Sequence, residues 1–285
     1  MYIQTIIQEL DLDISHCTPV HGGDINSAYC LTGSGKVFFL KVNEAGRYPA
    51  MFEKEARGLN ALRKATVKSS LHVPATLKYG EVENQQYLVL EWISPGRPAK
   101  DFWENFGRSL AKFHQHTNDS FGWAEDNYIG SLLQENTMHE NWASFYTHCR
   151  IIPLVRELFD RKIFSTKDVN HAEACCAQFG EIFPNEIPAL LHGDLWSGNF
   201  MTAQDGQAVI YDPAVYYGHR EMDLGMTRLF GGFEDRFYQG YHEAYPLEKN
   251  WESRLDLTQL YPLLVHAVLF GGHYVAQVRH ILQRF

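Results

Sequence analysis

The spacing of apolar residues changes about a third of the way along the chain. Up to residue 93, short apolar runs separated by turns predict two strand pairs, one over 28–31 and 37–42 and one over 77–82 and 87–93. Apolar residues at positions 52, 56, 59 and 62 follow helical spacing, which predicts one amphipathic helix over 51–62. The first third is therefore predicted to be β-rich with a single inserted helix.

Beyond the Pro- and Gly-rich segment 94–98 the pattern becomes helical, so this segment suits a boundary between two lobes, 1–93 and 94–285. The predicted helices lie over 102–116 and near 140–159, 170–182, 222–244 and 256–282. Only the region 190–215 is expected to interrupt them, with a short strand pair. His114 and His116 are expected on or just beyond the exposed face of their helix. The fold class is α+β, with a small β-rich N-terminal lobe and a larger, mainly helical C-terminal lobe.

Composition supports folded lobes and excludes some classes of partner. The 285 residues are 45% hydrophobic and 14% aromatic, enough to bury a sizeable core. A formal charge of −9 argues against a nucleic-acid-binding protein, whose phosphate contacts need a basic surface. Acidic residues precede any long apolar run near the N-terminus, so we expect neither a signal peptide nor a membrane-spanning helix, and a cytoplasmic location. The five cysteines form no C-x-x-C pair and are expected to be reduced, mostly buried thiols.

One polar run carries the most specific chemical signal. Within 190–199, Asp194 precedes Asn199 by five positions, and Asp212 follows thirteen positions later. This is the spacing of the catalytic base and the two metal ligands in kinase-like phosphotransferases. Asp194 would accept a proton from, or orient, an acceptor hydroxyl, while Asn199 and Asp212 supply oxygen ligands for Mg²⁺ on the phosphates of ATP. The alternative, an ordinary turn followed by a strand-end cap, does not account for the three matching offsets.

A lysine in the first lobe is the candidate for holding phosphate. Lys41 ends a predicted apolar strand, where a buried charge is costly unless it is paired. Glu55 on the following helix is the favoured partner, and Glu53, on a different face of that helix, is the rival. In the paired arrangement Lys41 contacts the α- and β-phosphates. A solvated lysine at a strand end is the alternative.

A glycine-containing loop is a second candidate for phosphate contacts. Gly22, Gly23 and Asn26 precede a predicted strand, and backbone N–H groups there would cover the phosphates. A simple hairpin turn explains this loop nearly as well, because the full G-x-G-x-x-G pattern is missing.

The predicted lobe boundary is the candidate for adenine contacts. Backbone groups of Glu91, Trp92 and Ile93 would bond the adenine edge. Trp92 or Leu90 would pack against the ring, and a buried aromatic between lobes is the alternative. Asp223 begins a predicted helix, where it would cap that helix and also hold the backbone of the catalytic loop.

Together these residues resemble the aminoglycoside phosphotransferase branch of the protein-kinase-like fold, and a closer resemblance is to the fructosamine kinase (ketosamine-3-kinase) family. The motifs that carry it span nearly the whole chain: 22–26, 52–56, 121–123, 126–130, 134–136, 192–199 and 218–224. The segments 195–199 and 218–223 are the most specific. The resemblance implies ATP-dependent phosphorylation of the sugar C3 hydroxyl of ketosamines, the adducts of sugars with amines, and hence protein deglycation repair.

The resemblance also implies residue roles. Asp194 matches the catalytic base, Asn199 and Asp212 the metal ligands, and Lys41 with Glu55 the phosphate-positioning ion pair.

An acceptor pocket is implied as well. Trp196 would flank the sugar, with a core aromatic as the alternative, and His266 and Tyr274 would line the same pocket. The sequence departs from the family in the phosphate-covering loop, where some members carry a cysteine used for a redox-sensitive disulfide dimer and this chain has Asp24. A redox switch at that loop is therefore not expected.

Two other functions stay open from the sequence. One is the same reaction on an aminoglycoside, choline or homoserine, since acceptor specificity lies in the helical lobe. The other is a silent nucleotide-binding scaffold, against which stands the retention of the lysine, base and metal positions. The sequence does not fix the sugar adduct, whether its amine carrier is a small molecule or a protein, or whether the enzyme is a monomer or a homodimer.

Overall fold

Short apolar runs fold as strands where turn residues flank them. In the computed structural model, which describes residues 2–20, 25–67 and 69–285, the strands are β1 (His16–Val20), β2 (Ser27–Gly33), β3 (Lys36–Glu44), β4 (Thr76–Val82), β5 (Gln85–Glu91), β6 (Asn127–Ile129), β7 (Leu132–Gln134), β8 (Ala189–Leu191), β9 (Phe200–Thr202), β10 (Ala208–Ile210) and β11 (Tyr216–Gly218).

Longer segments with apolar residues three and four positions apart fold as helices. They are α1 (Tyr2–Glu9), α2 (Met51–Thr66), α3 (Phe102–Phe113), α4 (Trp142–Phe145), α5 (Ile152–Asp160), α6 (Thr166–Ala177), α7 (Phe179–Ile182), α8 (Glu221–Leu229), α9 (Asp235–Ala244), α10 (Leu255–Phe270) and α11 (His273–Leu282). A π-helix (Tyr146–Ile151) lies between α4 and α5, and a 3-10 helix (Trp251–Arg254) precedes α10.

These elements form two units. The first comprises the chain up to Phe102 together with Phe200–Pro213, and the second comprises Trp103–Asn199 and Ala214–Phe285. The hairpin β9–β10 therefore belongs to the first unit, although it lies far along the chain. The two lobes expected at 1–93 and 94–285 stay a prediction.

The first unit is built on an antiparallel sheet of order β1-β2-β3-β5-β4. β3 lies at its centre, where Lys41 pairs with Ala28 on β2 and with Leu88 on β5. Apolar side chains of the sheet and of α1 form the core: Ile6, Leu10, Leu31, Leu40, Val42, Tyr87 and Val89. Lys41 lies in the interior of β3, three residues before its end, and not at a strand end as predicted.

In the second unit two helices touch through their backbones. A Cβ on Gly107 of α3 would lie 1.9 Å from the carbonyl oxygen of Phe237 on α9, and a Cβ on Gly240 of α9 would lie 2.3 Å from that of Glu104 on α3. Only glycine permits this approach at both positions. The close crossing places the end of α3 beside α9.

Glycines also divide two of the predicted helices. The predicted helix near 222–244 is α8 and α9, separated at Gly231 and Gly232, whose φ angles are 71° and 92°. The predicted helix near 256–282 is α10 and α11, separated at Gly271 and Gly272 with φ of 66° and 59°. Positive φ ends a right-handed helix, and glycine adopts it without steric cost.

Three further expectations need correction. The prediction that only 190–215 interrupts the helices is wrong, because β6 and β7 form another hairpin at 127–134. The region 190–215 holds strands of two small sheets, β10-β9 and β11-β8, instead of one pair. His114 is fully buried just beyond α3, whereas His116 is exposed.

The cysteines are free thiols, as predicted: Cys17, Cys30, Cys149, Cys175 and Cys176. Three are buried and two partly buried, and burial raises the pKa of Cys149 to about 11. Within the part of the chain that the structure describes, no helix has both the length and the apolar character required to cross a bilayer.

Candidate active site

In the first unit a buried lysine meets two carboxylates. Lys41 Nζ lies 2.8 and 2.9 Å from the two carboxylate oxygens of Glu55 and 3.0 Å from Asp212 Oδ1. Glu53 instead pairs with Arg57 on the exposed side of α2. Of the two candidate partners, Glu55 is therefore the one that contacts Lys41, and the second contact, to Asp212, was not foreseen from the sequence.

The charges of this cluster stabilise one another. Burial alone would lower the pKa of Lys41, but Asp212 and Glu55 outweigh it and hold that pKa well above its usual range, so the ammonium stays charged. Burial raises the pKa of Glu55 to about 6, against the opposing effect of Lys41. The lysine is thus fixed in direction, with a fully charged head group, in a place where an unpaired charge would be costly.

Asp212 has an unusual backbone. Its φ is 56°, in the left-handed region that aspartate tolerates better than most residues but still at a cost. Its side chain is 43% exposed, compared with 6% for Lys41. An accessible carboxylate on a strained backbone is the kind of group that clusters at functional sites.

In the second unit, Asp194 and Asn199 are held together by the loop between them. Asn199 Nδ2 donates to the main-chain oxygen of Asp194 at 2.8 Å and to its carboxylate Oδ2 at 3.0 Å. Asn199 is buried and Asp194 is partly exposed. The five-residue offset noted in the sequence therefore corresponds to a direct contact that orients the carboxylate of Asp194.

The backbone before Asp194 is held by the carboxylate of Asp223, which lies in α8. Its Oδ2 accepts from the His192 amide at 2.8 Å and its Oδ1 accepts from the Gly193 amide at 2.9 Å. The prediction that Asp223 holds the backbone of this loop is confirmed, whereas the prediction that it caps α8 is wrong, because Arg220 is the N-cap residue of that helix. Gly193 has a φ of 82°, and a Cβ there would lie 2.0 Å from the carbonyl oxygen of Ala214, so both its conformation and its packing require glycine.

Asp223 is itself held by a buried histidine. His114 Nε2 lies 3.1 Å from Asp223 Oδ2, and His114 Nδ1 lies 2.8 Å from the hydroxyl of Tyr241 on α9. Burial would raise the pKa of Asp223, but the hydrogen bonds and charges around it, led by His114, lower it. The carboxylate therefore stays ionised at neutral pH and keeps accepting from the loop.

Four aromatic rings near this loop form a continuous row, which we call the aromatic wall: Trp196, Phe230, His266 and Tyr274. Successive ring centroids are 5.7, 5.0 and 4.9 Å apart. All four residues are partly exposed. The structure thus brings together the three residues predicted to line the acceptor pocket, and joins them through Phe230.

His266 in this wall is neutral at physiological pH. Burial, as the main cause, lowers its pKa, and His273 lowers it further. Its Nδ1 lies 2.8 Å from the carbonyl oxygen of Pro262, which fixes a proton on Nδ1 and leaves Nε2 as the accepting nitrogen.

The residues predicted to contact nucleotide are less fully described. Gly22 and Gly23 lie outside the described residues, as does Asp24. Asn26 Oδ1 accepts from Asn43 Nδ2 at 2.7 Å, which ties the end of the loop to β3.

Glu91 is the last residue of β5, and Trp92 and Ile93 come directly after it. Glu91 accepts from the Ala75 amide with its side chain at 3.0 Å and donates its own amide to the Ala75 carbonyl at 2.9 Å. Trp92 packs against Phe39, with ring centroids 6.4 Å apart, and Trp92 and Ile93 are both partly exposed.

Two contributors were missed from the sequence. Phe230 lies inside the predicted helix near 222–244, directly after α8 in the structure, and gave no signal of its own beyond its apolar character. His114 was placed on a solvent face, although a polar residue next to a run of buried positions at 110, 111 and 113 is a signal for a satisfied buried group.

Comparison with known proteins identifies a family and several relatives of this chain. The model of the family described as fructosamine kinase matches residues 2–285. A protein of Synechocystis sp. named "Probable ketoamine kinase" is 39% identical over 292 residues, covering 99% of this chain and 96% of its own.

Solved structures support the fold. One described as a "putative fructosamine-3-kinase" from Thermobifida fusca is 33% identical, covers 95% of this chain and 93% of its own, and superposes with a TM-score of 0.84. An aminoglycoside phosphotransferase, solved in a ternary complex with AMP-PNP and hygromycin B, is 15% identical, covers 99% and 98% of the two chains, and has a TM-score of 0.67, which shows a shared kinase-like fold. The α+β kinase-like fold class is confirmed, and the chain belongs to the fructosamine kinase family.

Proposed function

We propose that this protein is an ATP-dependent kinase that phosphorylates the C3 hydroxyl of the sugar in ketosamines and so takes part in protein deglycation. The observation that carries the proposal is the catalytic loop, in which Asn199 orients the carboxylate of Asp194 while Asp223 fixes the preceding backbone. The family membership, and a relative named for the 3-kinase activity, support the substrate class and the position of transfer.

Asp194 acts on the acceptor. Its carboxylate accepts the hydrogen bond of the sugar hydroxyl and aims the oxygen at the γ-phosphate. It receives the proton as the new P–O bond forms, while the bond from the γ-phosphorus to the β–γ bridging oxygen breaks and ADP leaves. Asn199 donates to the Oδ2 of this carboxylate at 3.0 Å, which limits its rotation and so orients it for the hydroxyl.

Lys41 acts on the phosphate groups. Its ammonium, held by Glu55, neutralises the negative charge of the α- and β-phosphates and fixes their position. The contact of Asn26 with β3, and the position of Glu91, Trp92 and Ile93 at the end of β5, support roles for these residues at the nucleotide. We assign the same role to Gly22 and Gly23, which precede Asn26 in the sequence.

The residues assigned to metal fit Mg²⁺. Asn199 uses its Nδ2 to donate to Asp194, so its oxygen is the atom that remains for a cation, and Asp212 supplies an accessible carboxylate. Both are the hard oxygen ligands that Mg²⁺ prefers. When bound, the ion supplies charge neutralisation on the β- and γ-phosphates.

The aromatic wall binds the sugar adduct. Trp196 and Phe230 offer ring faces to the C–H side of the sugar, and His266 Nε2 accepts from a sugar hydroxyl. Tyr274 extends the wall toward the amine carrier.

The free thiols of the five cysteines fit a reducing compartment, and we place the enzyme in the cytoplasm.

The function is tested by incubating the purified protein with ATP, Mg²⁺ and a ribulosamine or fructosamine, beside an aminoglycoside, choline and homoserine. Phosphate is expected on C3 of the ketosamine sugar. Asp194→Asn is expected to reduce kcat by about 10³-fold while the dissociation constant of ATP changes little. Transfer to the aminoglycoside alone would overturn the substrate class, and full turnover by Asp194→Asn would overturn the base assignment.

A further inference from the structure

A connected set of polar side chains is buried in the second unit. We call it the buried amide network, and its members are Asn127, Gln134, Asn136, Arg150 and Tyr261. Each is at most 5% exposed. The motifs at 126–130 and 134–136 supply three of the five members, and nothing in the proposed chemistry so far uses them.

The members bond to one another in series. Arg150 Nη2 donates to Asn136 Oδ1 at 2.7 Å, and Asn136 Nδ2 donates to Asn127 Oδ1 at 3.0 Å. Gln134 Nε2 donates to the same Asn127 oxygen at 2.8 Å, and the Tyr261 hydroxyl donates to Gln134 Oε1 at 2.9 Å. Every side-chain amide is therefore oriented by at least two bonds.

The network also bonds main-chain carbonyls, and two of these belong to neighbouring residues, Ala214 and Val215. Gln134 Nε2 donates to the oxygen of Ala214 at 3.1 Å, and Asn127 Nδ2 donates to the oxygen of Val215 at 2.8 Å. These two residues lie just before β11, and the Ala214 amide donates to the His192 carbonyl at 2.9 Å. The network thus fixes the strand that lies beside the start of the catalytic loop.

Ala214 transmits that position to the loop by direct contact. Its carbonyl oxygen lies so close to Gly193 that a Cβ there would be 2.0 Å away. The same oxygen accepts from Gln134, so it is held between the network on one side and the residue before Asp194 on the other. A rotation of the Ala214 peptide would displace Gly193 and, with it, Asp194.

The charge of Asp194 also affects the pKa of Tyr261. Burial raises the pKa of Tyr261 to about 12, Arg150 opposes the rise, and the charge of Asp194 adds to it.

Stability alone is a poor reason for such a network. Burying amides, a hydroxyl and a guanidinium carries a desolvation cost that hydrogen bonds only offset, and well-packed apolar side chains would serve the core at least as well. Fully bonded polar networks do fix one geometry, which an apolar core does less strictly. The bonds of Gln134 and Asn127 to Ala214 and Val215 make the backbone before β11 one of the parts that this network fixes.

We propose that Gln134 is a positioning residue for phosphoryl transfer, which sets the backbone of Gly193 through the Ala214 carbonyl and thereby aims the carboxylate of Asp194 at the acceptor hydroxyl. The proposal rests on the proposed function of Asp194 as base. Tyr261 supports the role by fixing the orientation of the Gln134 amide.

The test compares Gln134→Met, which keeps the length of the side chain and removes its three hydrogen bonds, with Tyr261→Phe, which removes one of them. We expect kcat to fall by about 30-fold in Gln134→Met and about fivefold in Tyr261→Phe, with KM for ATP changed less than about twofold, because small displacements of a base cost turnover and not nucleotide binding. Amide hydrogen exchange over 189–194 and 214–218 is expected to become faster in both variants.

The matched control is Tyr238→Phe. Tyr238 is a buried tyrosine of α9 whose hydroxyl bonds Thr227 at 2.9 Å, outside the network. The Tyr238→Phe variant is expected to lower the thermal midpoint of unfolding about as much as Tyr261→Phe does. Its kcat, and its amide hydrogen exchange over 189–194 and 214–218, are expected to stay at wild-type values.

The outcomes separate the proposals. Unchanged kcat in Gln134→Met, a kcat loss in Tyr261→Phe no larger than in the control, or unchanged exchange over 189–194, would overturn the positioning role. If Gln134→Met does not fold, Tyr261→Phe and its control decide. If the wild-type enzyme phosphorylates no ketosamine, the proposed function fails. The positioning role is then decided by comparing the two network variants with Tyr238→Phe in amide hydrogen exchange and in the rate of ATP turnover.

Discussion

Glu53 and Glu55 are two residues apart on α2 and differ completely in environment. Glu55 is almost buried and holds Lys41, whereas Glu53 is exposed and pairs with Arg57 one helical turn away. Two successive carboxylates on one helix therefore provide a variant and its control.

Glu55→Gln removes the charge that fixes Lys41 while keeping the shape of the side chain. We expect kcat/KM for ATP to fall by about 10- to 100-fold, since the ammonium loses its direction, and the buried lysine to cost about 2 kcal/mol in the free energy of unfolding. Steady-state kinetics and urea denaturation measure both quantities.

Glu53→Gln is the control for that experiment. An exposed ion pair contributes less than about 1 kcal/mol, so neither kinetics nor stability should change appreciably. Equal losses in the two variants would contradict the assignment of Glu55.

At the residue scale, the sequence could predict contacts between residues that are only a few positions apart. Asp194 and Asn199 lie five positions apart in one loop, and their contact follows from that spacing. The contact between Lys41 and Asp212 could not be predicted, because it depends on β9 and β10 folding with the first unit. His114 was misplaced for a similar reason, since the pattern of its own helix does not reveal Tyr241 or Asp223.

Among the elements, the crossing of α3 and α9 has the clearest effect on the site. Their backbones meet at Gly107 and Gly240, and this approach lets Tyr241 of α9 reach His114 at the end of α3. His114 then bonds Asp223, which holds the catalytic loop. The distance between two helices is thereby coupled to the position of the loop.

Gly240→Ala tests this crossing. The added Cβ would lie 2.3 Å from the Glu104 carbonyl, so the helices must separate, and we expect a loss of about 3 kcal/mol in the free energy of unfolding with a drop in kcat of about 10-fold. Denaturation and steady-state assays on the same preparation check both.

Gly180→Ala in α7 is the matched control. The nearest atom to its added Cβ is 4.0 Å away, and alanine favours a helix by up to about 1 kcal/mol over glycine, so stability should be unchanged or slightly raised. Loss of stability in Gly240→Ala with full retention of kcat would show that the loop does not depend on the crossing.

The spacing of apolar residues predicted where helices occur but not where each helix ends. Apolar spacing continues across Gly231–Gly232 and across Gly271–Gly272, so the predicted helices ran through both pairs. The hairpin β6–β7 was missed because its strands are three residues long and its fixing bonds reach Ala214 and Val215, which are distant in sequence.

For the molecule as a whole, buried histidines link stability to pH. Burial lowers the pKa of His219, which packs against Trp142 and Phe183, below its unfolded value. As pH falls below about 6.5, the unfolded chain takes up a proton that the folded protein does not, so the free energy of unfolding decreases, by at most about 1.4 kcal/mol per pH unit for this group. The contribution is fully present above pH 6.5 and is lost on acidification.

His219→Phe should therefore make the dependence of stability on pH shallower between pH 7 and pH 5, measured by urea denaturation at half-unit intervals. Phe183→Leu, a change in the neighbouring ring, should lower stability by the same amount at every pH. Parallel curves for the wild type and His219→Phe would show that this histidine does not carry the effect.

Sequence reasoning reached the fold class and the reaction class of the whole chain because the kinase-like offsets and the family motifs span both units. It did not reach the network around Gln134, since a glutamine in a short hairpin gives no local sign of what it bonds.

The ammonium of Lys41 lies 3.0 Å from the same carboxylate that we assign to magnesium. A divalent ion arriving alone would draw that carboxylate away from a buried positive charge, and the lysine would gain nothing in return. A triphosphate supplies new anionic oxygens to the lysine at the moment the ion takes the aspartate. Each of the two therefore raises the affinity for the other, and the enzyme is expected to load the pair as one unit, with little uptake of either component by itself.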